Sequence, residues 1–311
     1  MRNIFVNEMQ QIMREDPDVV FVTAECGFNV VEGLAAEFPE RFYNTGIAEQ
    51  SMVGTVAGMA LRGLKPVGYT MAMFLTMRAY EQIRVDVAYQ ELPVVLAGVI
   101  PGYGYGNSGT THHAIEDTAI LRALPNMTVV YTACETDVRA AARQAVTYGK
   151  PVYIGLGRND PAFRPAYGPA EFRFGRAIRL TDGKDAALFA AGVMLQEAMG
   201  AYERLRARGI DISVYNMHTV KPLDTQAVRA AAEECGTVYT LEEENVIGGL
   251  GGAVAEYLAE QEELSCRFKR FGVPDTYGHG SGSIAWLRRQ AGIDAASVAA
   301  GIETHLKRKN A

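Results

Sequence analysis

No apolar run in the chain approaches the ~20 residues that a membrane helix needs, so a membrane-spanning protein is not expected. Cysteine is scarce: Cys26, Cys134, Cys235 and Cys266 lie far apart, with no CxxC pair and no Cys/His cluster at zinc spacing. That excludes a zinc module and points to a reducing, cytoplasmic setting. No basic block stands ahead of the short Lys307-Arg308-Lys309 run, and 30 basic against 36 acidic residues leave a net charge of −6. Nucleic acid is therefore not expected as a main partner. The opening Met1-Arg2-Asn3-Ile4-Phe5-Val6-Asn7-Glu8 lacks the apolar core of a signal peptide. There is no low-complexity tract and no short repeat. What is present is ordinary for a folded protein: 48% apolar and 21% charged residues. At about 150 residues per domain, 311 residues suggest two domains. The 32 glycines cluster, a hint that backbone passes close to something.

Short β-branched runs alternate with helical patterns. Residues 3–15 read as a helix and Val19-Val20-Phe21-Val22-Thr23 as a buried strand. Residues 47–62 read as a helix in which Gly54 and Gly58 permit close packing. Pro66 to Thr70 reads as a strand, 74–90 as one long helix, and Val94 to Val99 as a strand. Val129-Val130-Tyr131 and Val152-Tyr153-Ile154 come next, separated by a helix at 135–148. Such alternation implies a parallel sheet covered on both faces. A turn-rich stretch then intervenes, from Arg158-Asn159-Asp160-Pro161 to Pro169. Beyond it the alternation restarts: strands at 186–191, 212–217, 237–242 and near 267–272, with helices at 195–208, 224–234 and 249–262. The expected organisation is two doubly wound α/β domains, 1–160 and 173–311, joined by a linker at 161–172.

Some motifs mislead. Gly104-x-Gly106-x-x-Gly109 matches the dinucleotide fingerprint formally. Bulky Tyr103 and Tyr105 interleave it, and no small-residue helix comes after it. The plainer reading is a flexible loop at the sheet edge, where open α/β sheets place ligands. His112 with Glu116, and His113 with Asp117, stand four apart, which on a helix would suit a metal or a helix-start charge pair. The charge pair is preferred and no metal ligand is assigned. Ser281 sits among glycines, but Gly-x-Ser-x-Gly occurs nowhere.

The informative segment is Asn44-Thr45-Gly46-Ile47-Ala48-Glu49-Gln50, where a strand ends and a helix begins. Glu49 falls in the first helical turn, and by itself it could simply favour the helix dipole. The residues downstream change the reading: Lys65-Pro66-Val67, Phe74, Arg78-Ala79-Tyr80-Glu81-Gln82, Gly109-x-Thr111-His112 and Glu116-Asp117. Later come Lys221-Pro222-Leu223-Asp224, Glu242-Glu243 and Asn245-Val246-Ile247-Gly248-Gly249-Leu250-Gly251. This ordered set resembles the transketolase family of thiamine diphosphate enzymes over nearly the whole chain. It is similar to that family's pyrimidine-binding domain, with its parallel sheet, and to its C-terminal α/β domain. The family's diphosphate-binding domain carries Gly-Asp-Gly and a later Asn around a divalent metal, and Gly-Asp-Gly is absent here. The resemblance therefore implies one subunit of a split transketolase. A separate N-terminal subunit would bring the diphosphate site and Mg²⁺ or another divalent ion, in an α2β2 heterotetramer.

The resemblance implies thiamine diphosphate as cofactor. Glu49 matches the carboxylate that hydrogen-bonds the pyrimidine N1′ and promotes the imino tautomer. Phe74 matches the main aromatic against that ring, with Met71 and Met77 where the family carries further aromatics, and Arg78 beside them. Core packing is the alternative for Phe74 and Tyr80. His112 matches the histidine that contacts the donor near its reacting carbon. Arg158 and Arg2 match arginines that grip a distal phosphate, although a surface charge is an equal reading of Arg158. The sequence also departs from the pattern. Ser108 replaces an aspartate that reads a sugar hydroxyl, Ile100 and Pro101 replace polar contacts, and Tyr103 and Tyr105 appear. A substrate other than the usual pentose or hexose phosphate, or one held differently, is expected from these changes. The implied reaction is transfer of a two-carbon ketol unit from a ketose-type donor to an aldehyde-type acceptor. Alternatives are the β subunit of a 2-oxoacid dehydrogenase, a deoxyxylulose phosphate synthase-like carboligase, and a non-catalytic partner-binding subunit.

Overall fold

A computed structural model describes residues 1–158, 164, 166–278 and 280–307. Four residues of the stretch expected to be a linker, 161–163 and 165, lie outside the described residues. The first sheet has seven strands in the order β10-β5-β6-β4-β3-β1-β2. Its members are β1 (Val19–Thr23), β2 (Phe42–Asn44), β3 (Lys65–Met71), β4 (Val95–Val99), β5 (Thr128–Tyr131) and β6 (Val152–Leu156), with β10 (Thr219–Lys221) at one edge. Strands β1 to β6 are mutually parallel, and β1, β4, β5 and β6 are buried throughout. Helices on both faces cover them, which explains unbroken runs such as Val94-Val95-Leu96-Ala97.

The second sheet has the order β12-β11-β8-β9-β7. It comprises β7 (Ile178–Arg179), β8 (Ala187–Ala190), β9 (Ser213–Asn216), β11 (Thr237–Asn245) and β12 (Arg267–Val273). The antiparallel edge strand β10 comes from the C-terminal half of the chain yet pairs with β5 of the first sheet. Just beyond it, Asp224 caps the helix Thr225–Cys235 by accepting from Ala227 N at 3.0 Å. Lys221 Nζ donates to the carbonyls of Arg122 and Leu124. The Lys221-Pro222-Leu223-Asp224 motif thus ties the two halves together.

Three local expectations are corrected. The single helix expected at 74–90 is broken into Ala72–Arg78, one turn at Tyr80–Gln82 and a π-helical turn at Ile83–Ala88. The Thr76 hydroxyl donates to Ala72 O at 2.8 Å, a back-bond that bends helices. In the helix Glu49–Leu61, the packed face is Met52, Val53, Val56, Ala57 and Ala60. A Cβ on Gly54 or Gly58 would meet nothing, so these glycines do not serve packing within the chain. The third concerns His112, Glu116, His113 and Asp117, which share no helix. His112 closes a 3₁₀ turn, and the next helix starts only at Asp117. His113 contacts Gly106 O through Nε2 at 3.1 Å, and Asp117 accepts from the Tyr153 hydroxyl at 2.7 Å.

Candidate active site

Open α/β sheets bind ligands beyond the carboxyl ends of their strands, where strand order reverses. Here β1 lies between β2 and β3, so the reversal falls at β1/β3. The expected site residues succeed strand ends in that region. Glu49 comes after β2, Met71 and Phe74 at and after β3, Tyr105 and His112 after β4, and Arg158 after β6.

Glu49 is 4% exposed in the first turn of its helix. Its Oε2 accepts from Arg78 Nη1 at 3.3 Å. Among the described residues Oε1 takes no hydrogen bond. Arg78 itself is exposed, and its guanidinium carbon lies 4.2 Å from the Phe74 ring centroid. The His112 ring meets Phe74 edge-on at 5.4 Å and Tyr105 at 5.6 Å. Thr111 Oγ1 lies 2.9 Å from His112 Nδ1. Met71 and Met77 are half-buried, and Met is polarizable enough to cover a ring face. Glu49, Arg78, Phe74, His112 and Tyr105 therefore form one connected cluster. Tyr80 belongs to the core instead: it packs into the apolar cluster, and its hydroxyl donates to Ile120 O.

Behind Tyr105 lies a second group. Arg2 is within electrostatic reach of Cys26, Tyr69 and Tyr105, and Arg158 of Tyr105. Burial pushes the Cys26 thiol up to about 11 and the Tyr105 hydroxyl up to about 12, so both stay protonated near neutrality. Arg2 Nε and the Tyr69 hydroxyl are buried with no hydrogen-bond partner. Sequence reasoning missed Cys26 and Tyr69. Strand alternation offered a signal for Tyr69, since residues 69 and 71 face the same side of β3. Arg158 Nη1 donates to Gly104 O at 3.3 Å, which fixes the glycine-rich loop. Ser108 is exposed on that loop.

The loop is gripped by the second half of the chain. Gly102 has φ +61, and a Cβ there would lie 2.5 Å from Glu243 Oε2. Glu243 is held in turn by Arg288 Nε at 2.5 Å. Burial lowers the His113 pKa, which favours the neutral ring at this junction. Among the described residues, no group of three or more His, Cys, Asp or Glu is arranged to hold a metal. No helix among them is long and apolar enough to cross a membrane.

Residues 1–162 match the transketolase pyrimidine binding domain, and residues 175–298 the transketolase C-terminal domain. The chain belongs to the transketolase family. This family member is 38% identical to an apulose-4-phosphate transketolase subunit of Phocaeicola vulgatus, covering 88% of this chain and 87% of that one. It is 35% identical to the 6-deoxy-6-sulfo-D-fructose transketolase subunit SqwH of Clostridium sp. (strain MSTE9), covering 100% and 95%. A solved split gene transketolase, described as an inactive beta4 tetramer, superposes with a TM-score of 0.89 at 35% identity over 98% of both chains. The chain spans only 48% of the 1-deoxy-D-xylulose-5-phosphate synthase 1 of Geobacter sulfurreducens, at 37% identity. It is thus similar over nearly its whole length to chains named as transketolase subunits, in a family of thiamine diphosphate-dependent transferases.

Proposed function

We propose that this chain is the pyrimidine-binding half of a two-component, thiamine diphosphate-dependent transketolase. It moves a two-carbon ketol unit from a ketose-type donor to an aldehyde-type acceptor. The observation that carries the reading is the buried Glu49 carboxylate joined through Arg78 to the face of Phe74, with His112 at the ring edge.

These residues fit the cofactor's ring. Glu49 offers its carboxylate to N1′ and Phe74 a stacking face, with Met71 and Met77 as further apolar wall. The cofactor supplies a carbon nucleophile to the donor carbonyl. This chain supplies the carboxylate that shares a proton at N1′ and the His112 imidazole as donor to the developing oxyanion. Arg2 and Arg158 take an oxyanion at the far end of the substrate, where an arginine fork suits phosphate or sulfonate. Tyr105 and Ser108 line the approach. Two relatives bear names that specify a phosphorylated and a sulfonated ketose, which supports an anionic donor and an altered glycine-rich loop.

The diphosphate and its Mg²⁺ or other divalent ion belong to an N-terminal-type partner subunit in an α2β2 assembly. Phe28 and Ile47, 85% and 76% exposed beside the site, support a covering chain there. The outward Gly54 and Gly58 would let such a chain approach closely. Four free cysteines suit a reducing cytoplasm.

The test is reconstitution with an N-terminal transketolase-type subunit, a screen of ketose phosphate and ketose sulfonate donors, and Glu49→Gln. The variant should keep the wild-type melting temperature and lose about 10²–10⁴-fold in turnover. Near wild-type turnover in the assembled complex would refute the assignment of Glu49.

A further inference from the structure

Two features would receive the aminopyrimidine ring, the face of Phe74 and the carboxylate of Glu49, and one side chain already engages both. The Arg78 guanidinium carbon lies over the Phe74 ring, 4.2 Å from its centroid, and Nη1 donates to Glu49 Oε2 at 3.3 Å. A guanidinium is flat, π-delocalised and edged with N–H donors. In shape and donor pattern it is a surrogate for an aminopyrimidine protonated on its ring. The pair is asymmetric: the Glu49 side chain is 4% exposed and the Arg78 side chain 53%. The carboxylate is fixed in the wall, while the cation reaches it from a solvent-exposed stem and is free to leave. Arg78 ends the helix Ala72–Arg78, directly before the break at Ala79 (φ −103, ψ 18). Its stem therefore springs from a helix terminus rather than a packed mid-helix position.

Resting on the functional reading above, we infer that Arg78 is a resident placeholder, exchanged for the cofactor's ring on binding. In the free subunit it keeps Glu49 from facing water unpaired and holds Phe74 in its stacking orientation. The ring enters as Arg78 withdraws to solvent. The site is thus ordered before binding, and ring affinity is reduced by the Arg78 contacts that must be given up. An exposed stacked cation and a half-exposed ion pair are each weak interactions. Their combined effect on affinity is expected to be about tenfold.

The experiment uses the reconstituted two-chain enzyme and thiamine diphosphate as probe, with Mg²⁺ present. Calorimetry gives the equilibrium affinity and stopped-flow circular dichroism the association rate. Arg78→Ala should bind the cofactor about tenfold tighter, or associate faster by a similar factor. Arg78→Lys keeps the charge for Glu49 but loses the planar stack, and should fall between wild type and Arg78→Ala. Melting curves of each variant without cofactor check the fold. Weaker or unchanged binding by a folded Arg78→Ala overturns the placeholder, weaker binding making Arg78 an ordinary cofactor contact. Failure of the wild-type pair to bind thiamine diphosphate overturns the functional reading and this inference together.

Discussion

At the scale of single residues, the site depends on donors and acceptors held by aromatic neighbours. His112 is wedged between Phe74 and Tyr105 with Thr111 at Nδ1, so its ring cannot turn freely. A donor aimed at a developing oxyanion acts on the transition state more than on binding. We predict that His112→Ala lowers kcat of the assembled enzyme by about 10²–10³-fold with thiamine diphosphate affinity unchanged. A loss confined to KM would mean that the imidazole only positions substrate. Arg158→Ala should show the opposite split: the KM of an anionic donor rises while that of an uncharged donor analogue does not. Equal effects on both donors would remove the oxyanion role. The cluster behind Tyr105 shows how far such assignments reach. A tyrosine in a buried strand reads as core, and Tyr69 is core by its packing on Phe5 and Phe21. Only its unpartnered hydroxyl, within electrostatic reach of Arg2, marks it as part of a polar group.

At the scale of elements, the glycine-rich loop after β4 is the critical one. It reads from the sequence as a flexible loop at the ligand-binding edge, and the structure gives some of its glycines a packing duty. Gly102 requires a left-handed φ of +61 and space against Glu243, whereas Gly109 has φ +74 but open surroundings. Alanine at Gly109 incurs backbone strain alone, about 1 kcal/mol. At Gly102 the same strain is joined by displacement of Glu243 from Arg288, a buried pair. Gly102→Ala should therefore destabilise the protein by about 2 kcal/mol more than Gly109→Ala, measured by denaturant unfolding. It should also impair turnover, because the loop carries Tyr105 and His112. Equal stabilities would show that the Glu243 contact relaxes without cost. The broken helix after Phe74 belongs to this scale too. Its apolar spacing is continuous in the sequence, but the helix carries a hydroxyl back-bond at Thr76 and breaks at Ala79.

At the scale of the whole molecule, the two halves meet across buried carboxyls. Asp117 heads a first-half helix and Glu244 lies on β11, with Glu242 and Glu243 beside it. Glu116, Tyr131 and Tyr153 face the same junction, and Arg270 and Arg122 act on Glu242. The Asn245 backbone N–H donates to Ile115 O at 2.8 Å, so the carboxyls cannot separate without breaking the seam. Burial first, and then the charge of Asp117, raises the Glu244 carboxyl well above its ordinary value of 4.5. Burial likewise raises Asp117 to about 6. An acid whose folded pKa is raised holds its proton longer in the folded state than in the unfolded chain. Its contribution is undiminished below the unfolded pKa, and stability is lost as pH rises above that value. Glu244→Gln should therefore raise the melting temperature at pH 8 and leave it nearly unchanged at about pH 4.5. A shift of equal size at both values would point to packing instead of ionisation.

The two-sheet α/β architecture was legible in the sequence. Its β-branched runs are too apolar for anything but parallel strands covered on both faces, and its turn formers mark most element ends. The sequence also placed Glu49, Phe74 and Arg158 shortly after strand ends and Tyr105 and His112 on the loop after β4, because chain order fixes which residues come after an edge. It could not assign β10 to the first sheet, since three residues carry no pattern and the pairing joins segments about 90 positions apart. Nor could it show that Gly54 and Gly58 face outward, because small residues have no period of their own to reveal a packed side. The joining of Arg78 to both Phe74 and Glu49 was likewise decided by tertiary structure alone. Stacking and hydrogen bonding depend on where strand ends converge in space, and spacing along the chain does not encode that distance.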